Sequence, residues 1–304
     1  MSQVSKNNKG WDATQIREWS YNQSRKQSRD YSQIVERIQK LPANTNLVEE
    51  YGKTPEGHPL LCVTRNEAGL TSPTMVITGG VHGYELSGIE AAVQFLETEA
   101  PRYRDTFNFV VFPCVSPWAY EHNHRWTSNA QDPNREFKED SLAEESSFLM
   151  QKIDDLGISF KGAIDLHETP DMDIELRQQR ADRFGTPLSP DWQIIPQGFY
   201  VMVSKTGDDQ NDLLQAGYAK SIIEQVRKVS PIAPEPTVIG HKNHRGYTQS
   251  PPVHGTLRHY MNERAAYMAV SEVYPDHPDM GANRAVKAQL AAIDGALNFL
   301  KSAP

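Results

Sequence analysis

Residues 75–90, MVITGGVHGYELSGIE, set the reading of the fold. Met75–Thr78 is a short apolar and β-branched run closed by Gly79 and Gly80, which predicts a buried strand. Beyond the turn, Leu86, Ile89, Val93 and Leu96 recur at three- and four-residue spacing and predict a helix over Leu86–Thr98. The alternation continues in both directions. Strands are expected at Leu60–Val63, Phe107–Phe112, Ala163–Leu166, Phe199–Val203 and Tyr267–Val273. Helices are expected at Ser141–Leu156, Asp212–Val229 and Arg284–Leu300, with an N-terminal helix over Ile34–Leu41 and more helix before it. Pro231–Pro236 (PIAPEP) and the polar run from His241 to His259 read as one long surface loop. Strand–helix alternation of this kind argues for an α/β sheet with helices on both faces, whose sites gather at the carboxyl ends of strands.

Composition narrows the class. The chain has 304 residues, 38% of them hydrophobic and 23% charged, enough apolar material for a sizeable core. A net charge of −8 without a Lys/Arg cluster speaks against nucleic acid as a partner. No apolar run approaches the ~18 residues of a membrane span, and the polar first residues lack the apolar centre of a secretory signal. Cys62 and Cys114 both lie in apolar stretches, which excludes a disulfide framework or a thiolate metal cluster. The expectation is a soluble, cytoplasmic protein with a single domain over residues 1–304.

Chemistry collects at the expected strand ends. His82 and Glu85 lie three apart at a strand-to-helix turn and can converge on one point, as a usual pair of zinc ligands does. Read alone, they also suit a turn histidine and a glutamate at a helix N-terminus. The strand Ala163–Leu166 runs into His167, the third ligand that the first motif lacks; a histidine hydrogen-bonded to a neighbour is the competing reading. In Asp132-Pro133-Asn134-Arg135, the Asn-Arg pair suits a substrate carboxylate and Asp132 can orient His82, although Asp-Pro-Asn is equally a turn. Arg125 is a candidate for polarising a carbonyl, or a surface arginine. Glu272 sits in a strand otherwise rich in Ala, Met and Val, where burial would raise its pKa as a general base requires; otherwise it faces outward.

Together these residues resemble the zinc carboxypeptidase family, carboxypeptidase A-like, with its desuccinylase and aspartoacylase relatives. His82-x-x-Glu85, Arg125, Asp132-x-Asn134-Arg135, Asp165-Leu166-His167 and Glu272 fall in the family's chain order between about residues 75 and 275. The resemblance implies a mixed, mainly parallel sheet of the phosphorylase/hydrolase-like kind. It implies one Zn2+ held by His82, Glu85 and His167, with Asp132 behind His82. Glu272 would be general base and acid, Arg125 would steady an oxyanion, and Asn134 and Arg135 would clamp a free carboxylate. A tyrosine on a mobile loop is also implied; Tyr247, beside Gly246, is the choice over Tyr260.

Two features depart from the digestive carboxypeptidases: the short spacing from Glu85 to His167, nearer the deacylases, and the compressed stretch from Arg125 to Asp132. The expected substrate is a peptide or an acyl-amino acid, and no membrane is involved. The deacylase relatives carry a β-rich domain after the catalytic glutamate, whereas 32 residues follow Glu272 and read as a closing helix. The carboxypeptidase branch is therefore expected ahead of an N-acyl-amino-acid deacylase. A binding module without catalysis is a third reading, opposed by the complete set of ligands and base. Side-chain specificity stays open: Arg245, Arg258 and His259 would favour acidic substrates, while Asp171, Asp173 and Glu175 would favour a basic one or a second cation. His122 and His124 are expected as solvent-facing loop histidines.

Overall fold

The structure, a computed structural model, describes residues 10–303. The chain opens with helices α1 (Ala13–Ser24) and α2 (Ser32–Gln39), followed by strands β1 (Leu47–Lys53), β2 (Pro59–Arg65) and β3 (Thr74–Gly79). Helix α3 (Leu86–Gln94), β4 (Asn108–Phe112), α4 (Pro117–Glu121), α5 (Glu144–Asp155), β5 (Gly162–Glu168) and α6 (Asp173–Phe184) come next. The remainder is β6 (Tyr200–Ser204), α7 (Asp209–Val226), β7 (Thr237–Val238), β8 (His241–Lys242), β9 (Tyr247–Ser250), α8 (Leu257–Asn262), β10 (Met268–Val273) and α9 (Ala282–Leu300). Among the described residues, no helix is long and apolar enough to cross a membrane.

Eight strands form one mixed sheet in the order β1-β2-β4-β3-β5-β10-β6-β9. The central strands β4, β3, β5 and β10 run parallel, and β2 and β6 flank them antiparallel. Side chains alternate between faces along each strand, and the two apolar clusters follow that alternation. Met75, Ile77, Ile164, Leu166 and Ala269 belong to the cluster under α2, α3, α7 and α9. Val76, Ala163, Met268 and Val270 belong to the one that includes Leu149 and Ile153 of α5 and Leu257 and Met261 of α8. Helices therefore cover both faces, as the pattern predicts. The parity that puts Ala163 on the α5/α8 side puts Asp165 and His167 there too, and Glu272 follows Val270.

Three segments differ from the sequence expectation. The polar run from 241 to 259 is not one loop: β8 pairs with β7, β9 extends the main sheet beside β6, and α8 follows. Four residues, Tyr-Thr-Gln-Ser, are too short an alternating run to stand out against polar flanks, and pairing to β6 decides their state. Strand β1 carries Glu49 and Glu50 at the sheet's edge, where charge blunts an exposed edge and also masks the strand signal. The helix expected over Leu86–Thr98 ends as α3 at Gln94 and continues through one π-helical turn, Phe95–Glu99.

Glu145 is buried in the first turn of α5, and burial pushes its carboxyl up to about 7. The unfolded chain then binds fewer protons than the fold between roughly pH 4.5 and 7, so this group's contribution to stability falls as pH rises through that window. Glu145→Gln is expected to stabilise the protein by up to about 3 kcal/mol more at pH 8 than at pH 4. Urea unfolding of both proteins at the two pH values measures it, and an effect equal at both would contradict the assignment.

Candidate functional site

The parallel register of β3 on β5, from Met75↔Gly162 to Gly79↔Leu166, sets their carboxyl ends side by side. The chain leaves β3 through Gly79-Gly80 and delivers His82 and Glu85 beside His167. Two glycines are required by close approach. A Cβ on Gly83 would lie 1.9 Å from the Tyr120 amide nitrogen, and one on Gly88 would lie 2.4 Å from the Leu166 carbonyl oxygen. Without side chains at these points, the turn presses onto α4 and α3 onto β5.

Glu85 lies between the two imidazoles. Its Oε1 is 2.7 Å from His82 Nδ1 and its Oε2 is 2.6 Å from His167 Nδ1. The far nitrogens face carboxylates as well: His82 Nε2 is 3.2 Å from Asp132 Oδ1, and His167 Nε2 is 2.6 Å from Asp165 Oδ2. Asp165 is steadied in turn by the Thr78 hydroxyl, which donates to Oδ1 at 2.6 Å. All three residues are buried, and their ligand atoms lie within 4.8 Å of one another. Burial would raise the Glu85 carboxyl; the two imidazoles outweigh it and hold it below the usual carboxylate range. Glu85 Oε2, close as it is to His167, meets it without hydrogen-bond geometry and has no other partner. Three lone-pair donors crowded into a buried point, each histidine oriented from behind by a carboxylate, fit a divalent metal ion such as zinc.

The site lines a cavity of about 250 Å3 whose wall includes Arg125, Asn134, Arg135, Arg177, Trp192, Arg258 and Glu272. Glu272 stands opposite His167 in the β10–β5 register and accepts a hydrogen bond from the Thr169 hydroxyl at 2.7 Å. Burial pushes its carboxyl up to about 8, against the pull of His167. Arg125 donates through Nε to Asp132 Oδ2 at 3.1 Å, and against the burial that would raise it the Asp132 carboxyl stays well below its ordinary value beside Arg125 and His82. Asn134 accepts from the Leu257 amide at 2.9 Å, which fixes its side chain. Arg135 donates to the Asn134 carbonyl and lies 5.9 Å from the Trp192 ring.

The structure thus brings His82, Glu85, His167, Asp132, Arg125, Asn134, Arg135 and Glu272 together. Tyr247 is the exception. Its ring is buried in β9, stacked on His244 at 5.2 Å, and lines a separate cavity with Ile223 and Ile232. The expectation failed because the supposed mobile loop is a strand locked to β6. Tyr260 does not replace it, since its hydroxyl donates to the Met150 carbonyl at 2.8 Å. His122 and His124 are buried rather than solvent-facing. Asp173 is not a free anion either: it pairs with Arg177 at 2.8 Å, lies 3.8 Å from Arg125 and accepts from the Tyr84 hydroxyl. Sequence reading missed Arg177 and Trp192. Helix α6 carries Arg177 on a polar surface pattern, and an indole in a loop has no periodicity to betray it.

Comparison with known proteins agrees with this geometry. Residues 71–180 match the family described as the succinylglutamate desuccinylase/aspartoacylase catalytic domain. No curated protein matches the sequence. A candidate metallopeptidase from Shewanella amazonensis SB2B is similar in structure, with a TM-score of 0.66 at 17% identity over 93% of this chain and 92% of that one. A metallo-carboxypeptidase from Burkholderia cenocepacia has a TM-score of 0.59 at 16% identity, over 88% of this chain and 68% of its own. Carboxypeptidase A from Helicoverpa armigera has a TM-score of 0.57 at 12% identity, over 99% and 77%. The resemblance carried by the motifs is borne out: the chain has the carboxypeptidase-like fold, and its residues 71–180 match the catalytic domain of the desuccinylase and aspartoacylase relatives.

Proposed function

We propose that the protein is a zinc-dependent hydrolase that cleaves an amide bond next to a free terminal carboxylate. The observation that carries this reading is the joint presence, in one small cavity, of the His82–Glu85–His167 cluster, the buried Glu272 and two arginines, Arg135 and Arg258, that form no ion pair among the described residues. A zinc ion held by those three residues would polarise the scissile carbonyl and lower the pKa of a water molecule. Glu272 takes a proton from the attacking water and returns it to the leaving nitrogen. Arg125, held in place by Asp132, offsets the negative charge that develops on the carbonyl oxygen. Asn134 and Arg135 hold the terminal carboxylate and so fix which bond is presented.

The cavity also suggests what side chain is accepted. Arg258 is buried, donates only to neutral acceptors (the Val203 and Pro251 carbonyls and the Ser250 hydroxyl) and is pushed by burial down to about 10. Among the described residues no carboxylate lies within ion-pair distance of it. A buried guanidinium so placed favours an acidic side chain on the residue released. A cavity of about 250 Å3 suits a small occupant. Within the same chemistry, the match of residues 71–180 favours an N-acyl-amino-acid deacylase as the second reading.

Purified protein is expected to take up about one equivalent of zinc, and His167→Ala to lose it; failure of the wild type to take up metal would leave only a binding module. Glu272→Gln should keep its zinc while kcat falls by roughly 10²- to 10⁴-fold. Release rates from C-terminal dipeptides and from N-acyl amino acids rank the two readings. Arg258→Met should lose at least about 30-fold in kcat/KM on substrates with an Asp or Glu side chain and change little on alanine counterparts. An equal loss on both would remove Arg258 from specificity.

A further inference from the structure

The segment that carries Arg125 has little regular structure of its own. Between α4 and Asp132 it is held by local bonds, with Asn123 and Ala130 at positive φ. What roofs it is a third apolar cluster, separate from the two that sandwich the sheet: Trp19, Trp118, Ala119, Trp126 and Ala130, with Trp11 and Ile16 against them. Trp19 of α1 is central. Its ring lies 5.0 Å from His124, 5.3 Å from Trp126, 6.2 Å from Trp118 and 6.4 Å from Trp11.

Polar contacts make the same connection. The Ser20 hydroxyl of α1 donates to the Ser128 carbonyl at 2.5 Å. His124, held neutral by a burial that brings it down to about 4, accepts on Nδ1 from the Trp126 amide at 3.0 Å, and its carbonyl accepts from the Tyr84 amide at 3.1 Å. Arg125 is thus bracketed by two residues whose rings touch Trp19, and His124 bonds the turn that bears His82 and Glu85. On the other side, the Trp11 amide donates to the Arg183 carbonyl of α6, at 2.9 Å, the helix that presents Asp173 and Arg177 to the cavity.

We infer that the arm formed by Trp11 and α1 is a positioning element, in which Trp19 acts through His124 and Trp126 to hold Arg125 in the cavity. Among the described residues no hydrogen bond or ring contact joins Trp11 or α1 directly to His82, Glu85 or His167, so an unchanged zinc stoichiometry distinguishes displacement of Arg125 from damage to those three residues. Apolar area buried in this cluster contributes to the placement of one loop rather than to the sheet's core. The kinetic part of this inference rests on the hydrolase reading above; the structural part does not.

The experiment is a double-mutant cycle with hydrogen exchange. Trp19→Ala is expected to lower kcat about tenfold with KM and zinc stoichiometry unchanged, while in the Arg125→Ala background the same substitution costs less than twofold. Trp19→Phe should restore most of the rate. Amide exchange should accelerate over residues 123–131 and stay unchanged over 75–79 and 163–168. Should Trp19→Ala fail to fold, Ser20→Ala serves as the milder variant with the same directions. A full tenfold loss in the Arg125→Ala background, or unchanged exchange over 123–131, would overturn the inference. If the wild type hydrolyses no amide, the proposed function fails and the exchange result alone decides the arm's role.

Discussion

A single carboxylate, Glu85, lies buried between two imidazoles at the wall of the cavity, and the surrounding architecture makes that tolerable. A buried charge is costly unless it is paired on every side. Glu85 meets this in part: both Nδ1 atoms lie within ion-pair distance of it, Oε2 is left without a hydrogen bond, and Asp132 and Asp165 occupy the opposite nitrogens. Such an arrangement needs the ends of β3 and β5 adjacent and parallel, a turn that can fold onto α4, and a helix close enough to β5 to begin immediately after the glutamate. Each of those needs has a sequence counterpart: the Gly79-Gly80 exit, Gly83 and Gly88.

Charge around the cavity is arranged as pairs with a remainder. Asp132 holds Arg125 and Asp173 holds Arg177, so these two guanidiniums are oriented before any ligand arrives. Trp192 lies near three guanidiniums, those of Arg135, Arg177 and Arg180, at 5.3–5.9 Å, offering them a face without neutralising them. Arg135 and Arg258 are left without acidic partners among the described residues.

Much of this was legible in the residue order. His82 and Glu85 could be read because a β-branched run, two glycines and a helical period surround them. His167 and Glu272 could be read because each ends or occupies an apolar run at a known parity. What escaped the sequence is what depends on long-range pairing. Tyr247 looked like a loop residue because four residues of strand in a polar stretch carry too little pattern, and only β6 makes them a strand. His122 and His124 looked exposed because their segment is polar, whereas Trp19, a hundred residues earlier, packs on His124 and Trp118 stacks on His122. Arg258 was visible as a cation, but its lack of a partner is a statement about three dimensions.

Strand β5 carries one further implication. His167 faces Glu85, and Glu168, one residue on, faces the opposite side, where it accepts from the Ser87 amide at 2.6 Å and anchors the start of α3. Two adjacent side chains thus serve opposite faces of the same sheet. Because strand side chains alternate strictly, insertion or deletion of one residue within β5 would turn each of them to the other face, with every downstream residue kept in order.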